Sequence, residues 1–257
     1  MKSRIAIPDN KIYSGLTSRA DEVKENYDVE IFSMPESRIS ELMASNRMDA
    51  ALMNPLGYGK GVTDADYRII PGPAMSAVGY TSLGSVFFKK GLSTIEKAVT
   101  PNPEDFLVIM GKLMLAENYG MSPELIQKSG TPEELLEEGE AVIAQMPNYR
   151  EDRALDITEE WFINYDMPLP LGIWVCRSDD CTAVIINAIR DMASRDLIKE
   201  EDIVELSRHR EVFEPRIGKL FWTFTDEVKT SLDQTLQFLY FHQYLPEIPA
   251  VKIFGED

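Results

Sequence analysis

The sequence predicts an α/β protein of two lobes, one of them assembled from both ends of the chain. Two observations carry this reading. Short β-type apolar runs alternate with amphipathic segments, so that residues 5–53 read β-α-β-α-β, and parallel strands need the crossover that such helices provide. Two uncharged stretches also interrupt a chain rich in carboxylates: one between Arg68 and Lys89, the other from Met167 to Cys176. Together they read as a pair of strands crossing between lobes, with a ligand cleft where the lobes face each other. Residues 1–82 and 178–257 are expected in lobe I and 88–170 in lobe II, with 83–87 and 171–177 as crossover strands.

The elements follow in order. Ile5 to Ile7 is a strand halted by Pro8-Asp9-Asn10, and the segment to Tyr27, with Leu16, Ala20 and Val23 apolar, suits a surface helix. Val29 to Phe32 is a second strand, Pro35 to Ala44 a helix with Ile39, Leu42 and Met43 on one side, and Ala50 to Met53 a third strand. The first uncharged stretch has the length of a membrane span, yet Pro71, Gly72, Pro73, Gly79 and Gly84 would break the roughly 20-residue apolar helix that a bilayer requires. It is read instead as two extended passes, the second from Ala77 to Phe88.

Val99-Thr100 ends a strand, and Asn102-Pro103-Glu104-Asp105 reads as the start of a helix to Tyr119 with Asn102 as N-cap, stopped by Gly120. Pro132 to Glu138 is a short acidic helix, Ala141 to Ala144 a strand, and Asp156 to Asn164 a helix around Trp161 and Phe162. Three further helices are expected at 181–195, at about 199–213 and, with Val228, Leu232, Leu236 and Leu239 at helical spacing, at 226–245.

Composition narrows the function classes. The 257 residues, 44% of them hydrophobic, suffice for one large domain or two ordinary ones. A net charge of -17, from 43 acidic against 26 basic residues, opposes approach to nucleic acid or an anionic membrane. An anionic ligand would then need local donors to overcome that field. Cys176 and Cys181 are too few for a disulfide framework, no Cys/His spacing fits zinc, and no metal is expected. The apolar run at the start stops at Pro8, short of the roughly 7 to 15 residues of a secretory core, so a cytoplasmic protein is expected. P-loop, dinucleotide, nucleophile-elbow and metal-helix patterns are absent from the sequence.

In open α/β sheets ligands sit outside the carboxyl ends of the strands, which directs attention to the residues just after each strand. These are Asp9, Asn10 and Lys11; Asn54 and Leu56; Thr100 and Asn102; and Gln145 and Met146, joined by Thr81, Ser82 and Ser85 on the crossing strand. Each has a plainer role beside the ligand-binding one. Asn54 and Asn102, each followed by proline, suit helix N-caps, Ser85 beside Gly84 suits a close backbone approach, and Lys11 suits a solvated surface. His209 and His242 fall on the C-terminal helices, away from these strand ends.

With those residues in view, the chain resembles the family that contains chorismate dehydratase and dihydroxynaphthoate synthase of the futalosine route to menaquinone. Asp49-Ala50-Ala51-Leu52-Met53-Asn54-Pro55-Leu56-Gly57-Tyr58 is similar to the family's strand and turn after its second helix, and Ile69-Ile70-Pro71-Gly72 to its leucine-proline-glycine step. Gly84-Ser85-Val86-Phe87-Phe88 resembles its crossing strand. Asp156-Ile157-Thr158-Glu159-Glu160-Trp161, followed by Met167 to Trp174, resembles its helix and proline-rich return strand. The resemblance implies a type 2 periplasmic-binding-protein-like fold.

It also implies an activity: a cofactor-free hydro-lyase like chorismate dehydratase, acting on a small enolpyruvyl carboxylate. In that reading Asn10 and Ser85 orient the substrate, amides near Asn54 and Thr100 hold its carboxylates, and Asp9 is the side chain offered as base. Lys11, Leu56, Ser82, Asn102, Gln145 and Met146 complete the expected binding set. The chain departs from the family pattern in having Pro8-Asp9 where the dehydratase has serine-tyrosine, and Pro103-Glu104-Asp105 in a segment that is otherwise free of acids. Gln145-Met146 stands where the synthase has a histidine, which favours the dehydratase over the synthase. A non-catalytic solute-binding or sensor protein is the alternative, and the oligomeric state is left open.

Overall fold

The computed structural model describes residues 2–89, 91, 94–145, 154–194, 202–205 and 216–256. Its strands are β1 Ser3–Pro8, β2 Val29–Met34, β3 Ala50–Met53, β4 Tyr67–Gly79, β5 Ser85–Phe88, β6 Lys97–Thr100, β7 Glu124–Gln127, β8 Ala141–Ala144, β9 Leu155–Asp156, β10 Leu169–Arg177, β11 Asp202–Glu205 and β12 Ile217–Thr223. The helices are α1 Ser14–Thr17, α2 Ala20–Asn26, α3 Glu36–Ala44, α4 Pro55–Ala65, α5 Phe106–Tyr119, α6 Pro132–Glu138, α7 Ile157–Tyr165, α8 Ala183–Met192 and α9 Asp226–Phe241. The chain divides into two compact units: Met1–Ala77 with Pro168–Asp202 and Leu220–Asp257, and Val78–Met167 with Ile203–Lys219. Both are discontinuous in sequence, the first built from three segments and the second from two.

The strands of the first unit belong to a seven-stranded sheet in the order β11-β12-β4-β10-β3-β1-β2, of which residues 203–205 of β11 and 217–219 of β12 are counted with the second unit. The parallel trio β3-β1-β2 comes from the β-α-β-α-β start of the chain, with Pro8 opposite Met34 and Ala6 opposite Ala51. Ile5, Ala6, Ala50, Ala51 and Leu52 are fully buried, because both faces of these short apolar runs are covered. β10 runs antiparallel to both β3 and β4. Helices α4 and α9 pack on β10, and α2 and α8 on β2. In α8 the buried residues Ile185, Ala188, Ile189 and Met192 recur at the helical spacing that turns one face to the sheet. Burying each of the larger ones stabilises the unit by about 1.5–3 kcal/mol. The C-terminal segment is tied down by Tyr58, whose hydroxyl donates to Ala250 O at 3.0 Å and accepts from Lys252 N at 2.9 Å.

The second unit holds a five-stranded sheet in the order β7-β6-β8-β5-β9. β6 is parallel to β7 and β8, and β5 is antiparallel to β8 and β9. Phe87, Val99, Leu135, Val142, Ala144 and Ala154 form one buried cluster. α6 begins with a capping box, Thr131 accepting from Glu134 N while the Glu134 carboxylate accepts from Thr131 N, as the Thr-Pro-Glu-Glu run favours.

Several elements differ from the sequence reading. The helix expected from Asn102 starts at Phe106: Asn102 Oδ1 accepts from Glu104 N at 3.1 Å and its Nδ2 donates to Asp105 Oδ1 at 2.6 Å, closing a local turn ahead of the helix. Glu104 and Asp105 therefore precede the first helical turn. Within the helix expected at 199–213, residues 202–205 are the strand β11, and the remainder lies outside the described residues. Pro71-Gly72-Pro73 does not separate two passes but lies inside β4, where Gly72 adopts φ +134°. The units change over at Ala77/Val78 and Met167/Pro168, and again at Asp202/Ile203 and Lys219/Leu220. The segments 83–87 and 171–177 fall inside the second and first units respectively. Among the described residues no helix is long and apolar enough to cross a membrane.

Candidate ligand-binding site

Parallel alignment of β3, β1 and β2 brings their carboxyl ends into one row, so the residues that follow each strand meet at one edge of the first unit. Asn10 follows β1, Glu36 opens α3 after β2, and Asn54 follows β3. The Glu36 carboxylate joins them: Asn54 Nδ2 donates to its Oε2 in a short hydrogen bond, and Asn10 Nδ2 donates to its Oε1 at 3.4 Å. Both amide oxygens are committed to the backbone. Asn54 Oδ1 accepts from Gly57 N at 2.8 Å as the N-cap of α4, and Asn10 Oδ1 accepts from Ile12 N at 3.2 Å at the start of a 3-10 turn. These bonds fix which side of each amide faces Glu36.

Around this trio the other expected residues separate. Asp9 and Lys11 are exposed, and Leu56 is buried in the first turn of α4. Asp9, offered by the sequence as base, is thus exposed, and the carboxylate that the structure bonds to Asn10 and Asn54 at the edge is that of Glu36. Glu36 escapes the sequence reading because Pro35-Glu36 reads only as a helix opening. The available signal is its place directly after a parallel strand, the same rule that selects Asn10 and Asn54.

The second unit has a comparable edge. Ser85 begins β5 opposite Ala144, the last residue of β8, and Thr100 ends β6 one strand away, so Ser85, Gln145 and Thr100 lie at the same end of the sheet. Ser85 and Thr100 are buried, and the Thr100 hydroxyl has no hydrogen-bond partner among the described residues. Met146 lies outside the described residues, as does His209. Asn102 sits past β6 in the turn described above, half-buried. His242 follows α9 and packs edge-on against Phe238, their ring centroids 4.5 Å apart.

Asp156 is the electrostatic centre of this second edge. Opposite Ser85 in β9, it is fully buried and N-caps α7 through Oδ1, which accepts from Thr158 N at 3.1 Å and Glu159 N at 3.0 Å. Its Oδ2 accepts from Ser82 N at 2.6 Å and Thr81 N at 3.3 Å. Ser82 is held at φ +59°, outside the range most side chains prefer. Burial outweighs these donors and pushes the Asp156 carboxyl up to about 6. Nearby, Arg216 bonds both carboxylate oxygens of Glu159, donates to Ala154 O at 2.9 Å, and lies 4.3 Å from the Tyr80 ring centroid.

Two α/β units, both discontinuous in sequence, with polar residues gathered beyond parallel strand ends, have a periplasmic-binding-protein-like fold of type 2. The fold is similar to that of the periplasmic aliphatic sulphonate binding protein SsuA from Escherichia coli, with TM-score 0.58 and 10% identity over 100% of this chain and 94% of that one. The alkanesulfonate-binding SsuA from Xanthomonas axonopodis pv. citri, bound to MOPS, matches with TM-score 0.53 and 9% identity over 97% and 96%. Protein AF1704 from Archaeoglobus fulgidus matches with TM-score 0.55 and 18% identity over 74% and 75%. No curated protein sequence matches the chain. A menaquinone-biosynthesis family model matches residues 6–237, and the chain belongs to that family.

Proposed function

We propose that the protein is a chorismate-dehydratase-like lyase that removes water from a small enolpyruvyl carboxylate, with no cofactor taking part. Membership of the menaquinone-biosynthesis family carries this reading. The polar row after β1, β2 and β3 supports it, since elimination needs an acceptor for a carbon-bound proton and donors that orient the substrate. In the reaction a C–H bond breaks and its proton passes to a base. The neighbouring C–O bond breaks, the oxygen leaves as water after gaining a proton, and a C=C bond forms. Gln145, where the synthase has histidine, weighs against the dihydroxynaphthoate synthase reaction.

A second reading, a solute-binding or sensor protein without catalysis, is favoured by one observation: the Asn10 and Asn54 side chains each donate to Glu36. The test is to incubate the purified protein with chorismate and follow both thermal stabilisation and loss of substrate. Turnover that Asn10→Ala abolishes supports the lyase. Stabilisation without turnover supports the sensor, and absence of both effects removes chorismate as the ligand of either.

A further inference from the structure

We propose that Glu36 is the specificity-determining residue of the strand-end edge: its carboxylate fills the position that a ligand carboxylate would take on Asn10 and Asn54, so a ligand meets this edge through a hydroxyl. The inference deepens the lyase reading and rests on it for the identity of the ligand, but not for the geometry.

Three features lead to it. The amide oxygens of Asn10 and Asn54 are engaged by Ile12 N and Gly57 N, so both side chains turn a nitrogen, never an oxygen, to the space Glu36 occupies. Two convergent amide donors beyond parallel strand ends are what a carboxylate needs, and the chain supplies that carboxylate itself from the first residue of α3. A side-chain carboxylate there also benefits from the positive end of the helix dipole. An ionised carboxylate offers acceptors only, so the complementary ligand group must donate a hydrogen bond. With the chain already at -17, an anionic group brought against the Glu36 carboxylate would add to that negative field. Chorismate carries a ring hydroxyl besides its two carboxylates, and its dehydration product lacks that hydroxyl. Discrimination between them at this edge would favour substrate over product.

The test has two arms. Formate is titrated into wild type, Glu36→Ala and the double variant Glu36→Ala/Asn54→Ala, with thermal midpoints read against equal chloride. Glu36→Ala should be stabilised saturably, while wild type and the double variant should not respond; Glu36→Ser provides a second single variant should the alanine fold poorly. Formate that stabilises wild type equally, or leaves both single variants unchanged, overturns the proposal. In the second arm, wild type should bind chorismate at least about tenfold more tightly than the dehydrated product, and Glu36→Ala should lose that preference. A preference retained in Glu36→Ala overturns the proposal. Failure of chorismate to bind wild type counts against the lyase reading alone, because the formate arm still decides the role of Glu36.

Discussion

Asp156 Oδ2 accepts a 2.6 Å hydrogen bond from the backbone nitrogen of Ser82, so a fully buried carboxyl holds the bend between β4 and β5. Its other oxygen lies 2.7 Å from Thr158 Oγ1, which is also 2.7 Å from Gly79 O. A hydroxyl has one hydrogen. If that hydrogen goes to Gly79 O, the contact between Asp156 and Thr158 requires a proton on Asp156.

A pH dependence of stability follows. Burial raises the Asp156 carboxyl from the ordinary 3.8 to about 6. The folded state therefore binds this proton more tightly than the unfolded state, and its contribution is complete below the unfolded value and lost as pH rises through about 6. Relative to Asp156→Asn, which does not titrate, the wild type should lose up to roughly 3 kcal/mol between about pH 4 and about pH 7. Urea unfolding of both proteins across that range measures it, and parallel pH profiles would contradict it.

Close backbone packing predicts a sharp contrast between two glycines of the second unit. A Cβ on Gly218 would lie 1.9 Å from Tyr80 O and 2.4 Å from Tyr80 C, and neither backbone atom can swing aside. Gly218→Ala should cost about 3 kcal/mol or more. Gly120, at φ +64°, has open space around its would-be Cβ, so Gly120→Ala meets only the backbone preference, about 1–2 kcal/mol. Thermal midpoints of the two variants give the order directly.

How far the sequence reveals this molecule depends on whether a feature is local. β1, β2 and β3 are legible because each is a short apolar run bounded by turn residues, and Asn54-Pro55 is legible as a helix start because Asn54 caps Gly57. The same Asn-Pro pair at 102–103 misleads, since Asn102 commits its side chain to Glu104 N and Asp105 instead. β4 reads as two passes because Pro71, Gly72 and Pro73 look like a break; in the sheet its pairing with β10 shifts register twice, which accommodates irregular residues within one strand. Glu36 is hidden for another reason. Its partners are 26 and 18 residues away, and only the alignment of three strands makes it their neighbour. The burial of Asp156 is equally invisible, although its role at the start of α7 is not.

Thr100 separates a ligand role from a structural one. Its hydroxyl is buried without a hydrogen-bond partner among the described residues, so the fold gains nothing from the oxygen. Thr100→Val keeps the shape and removes a group that is costly to bury unpaired, so stability should hold or rise by up to about 1 kcal/mol. A clear fall in the thermal midpoint would show that the hydroxyl has a structural partner. If the ligand reaches Thr100, the same variant should lose stabilisation by chorismate while keeping its own.

The two cysteines should differ in reactivity. The side-chain interaction with Cys181, together with burial, pushes the Cys176 thiol up, and the same interaction holds Cys181 below its usual value against the opposing effect of burial. Cys176 is fully buried near the end of β10, its sulfur 3.6 Å from Arg68 O, whereas Cys181 is partly exposed just before α8. Since the thiolate is the nucleophile, iodoacetamide near neutral pH should modify Cys181 first. Replacing Cys176 by alanine removes the neighbouring thiol that favours the Cys181 thiolate, so the pH midpoint of alkylation at Cys181 should move up. Peptide mass mapping identifies the modified residue, and alkylation rates measured against pH give the midpoint. Modification of Cys176 ahead of Cys181, or an unmoved midpoint in Cys176→Ala, would refute this assignment.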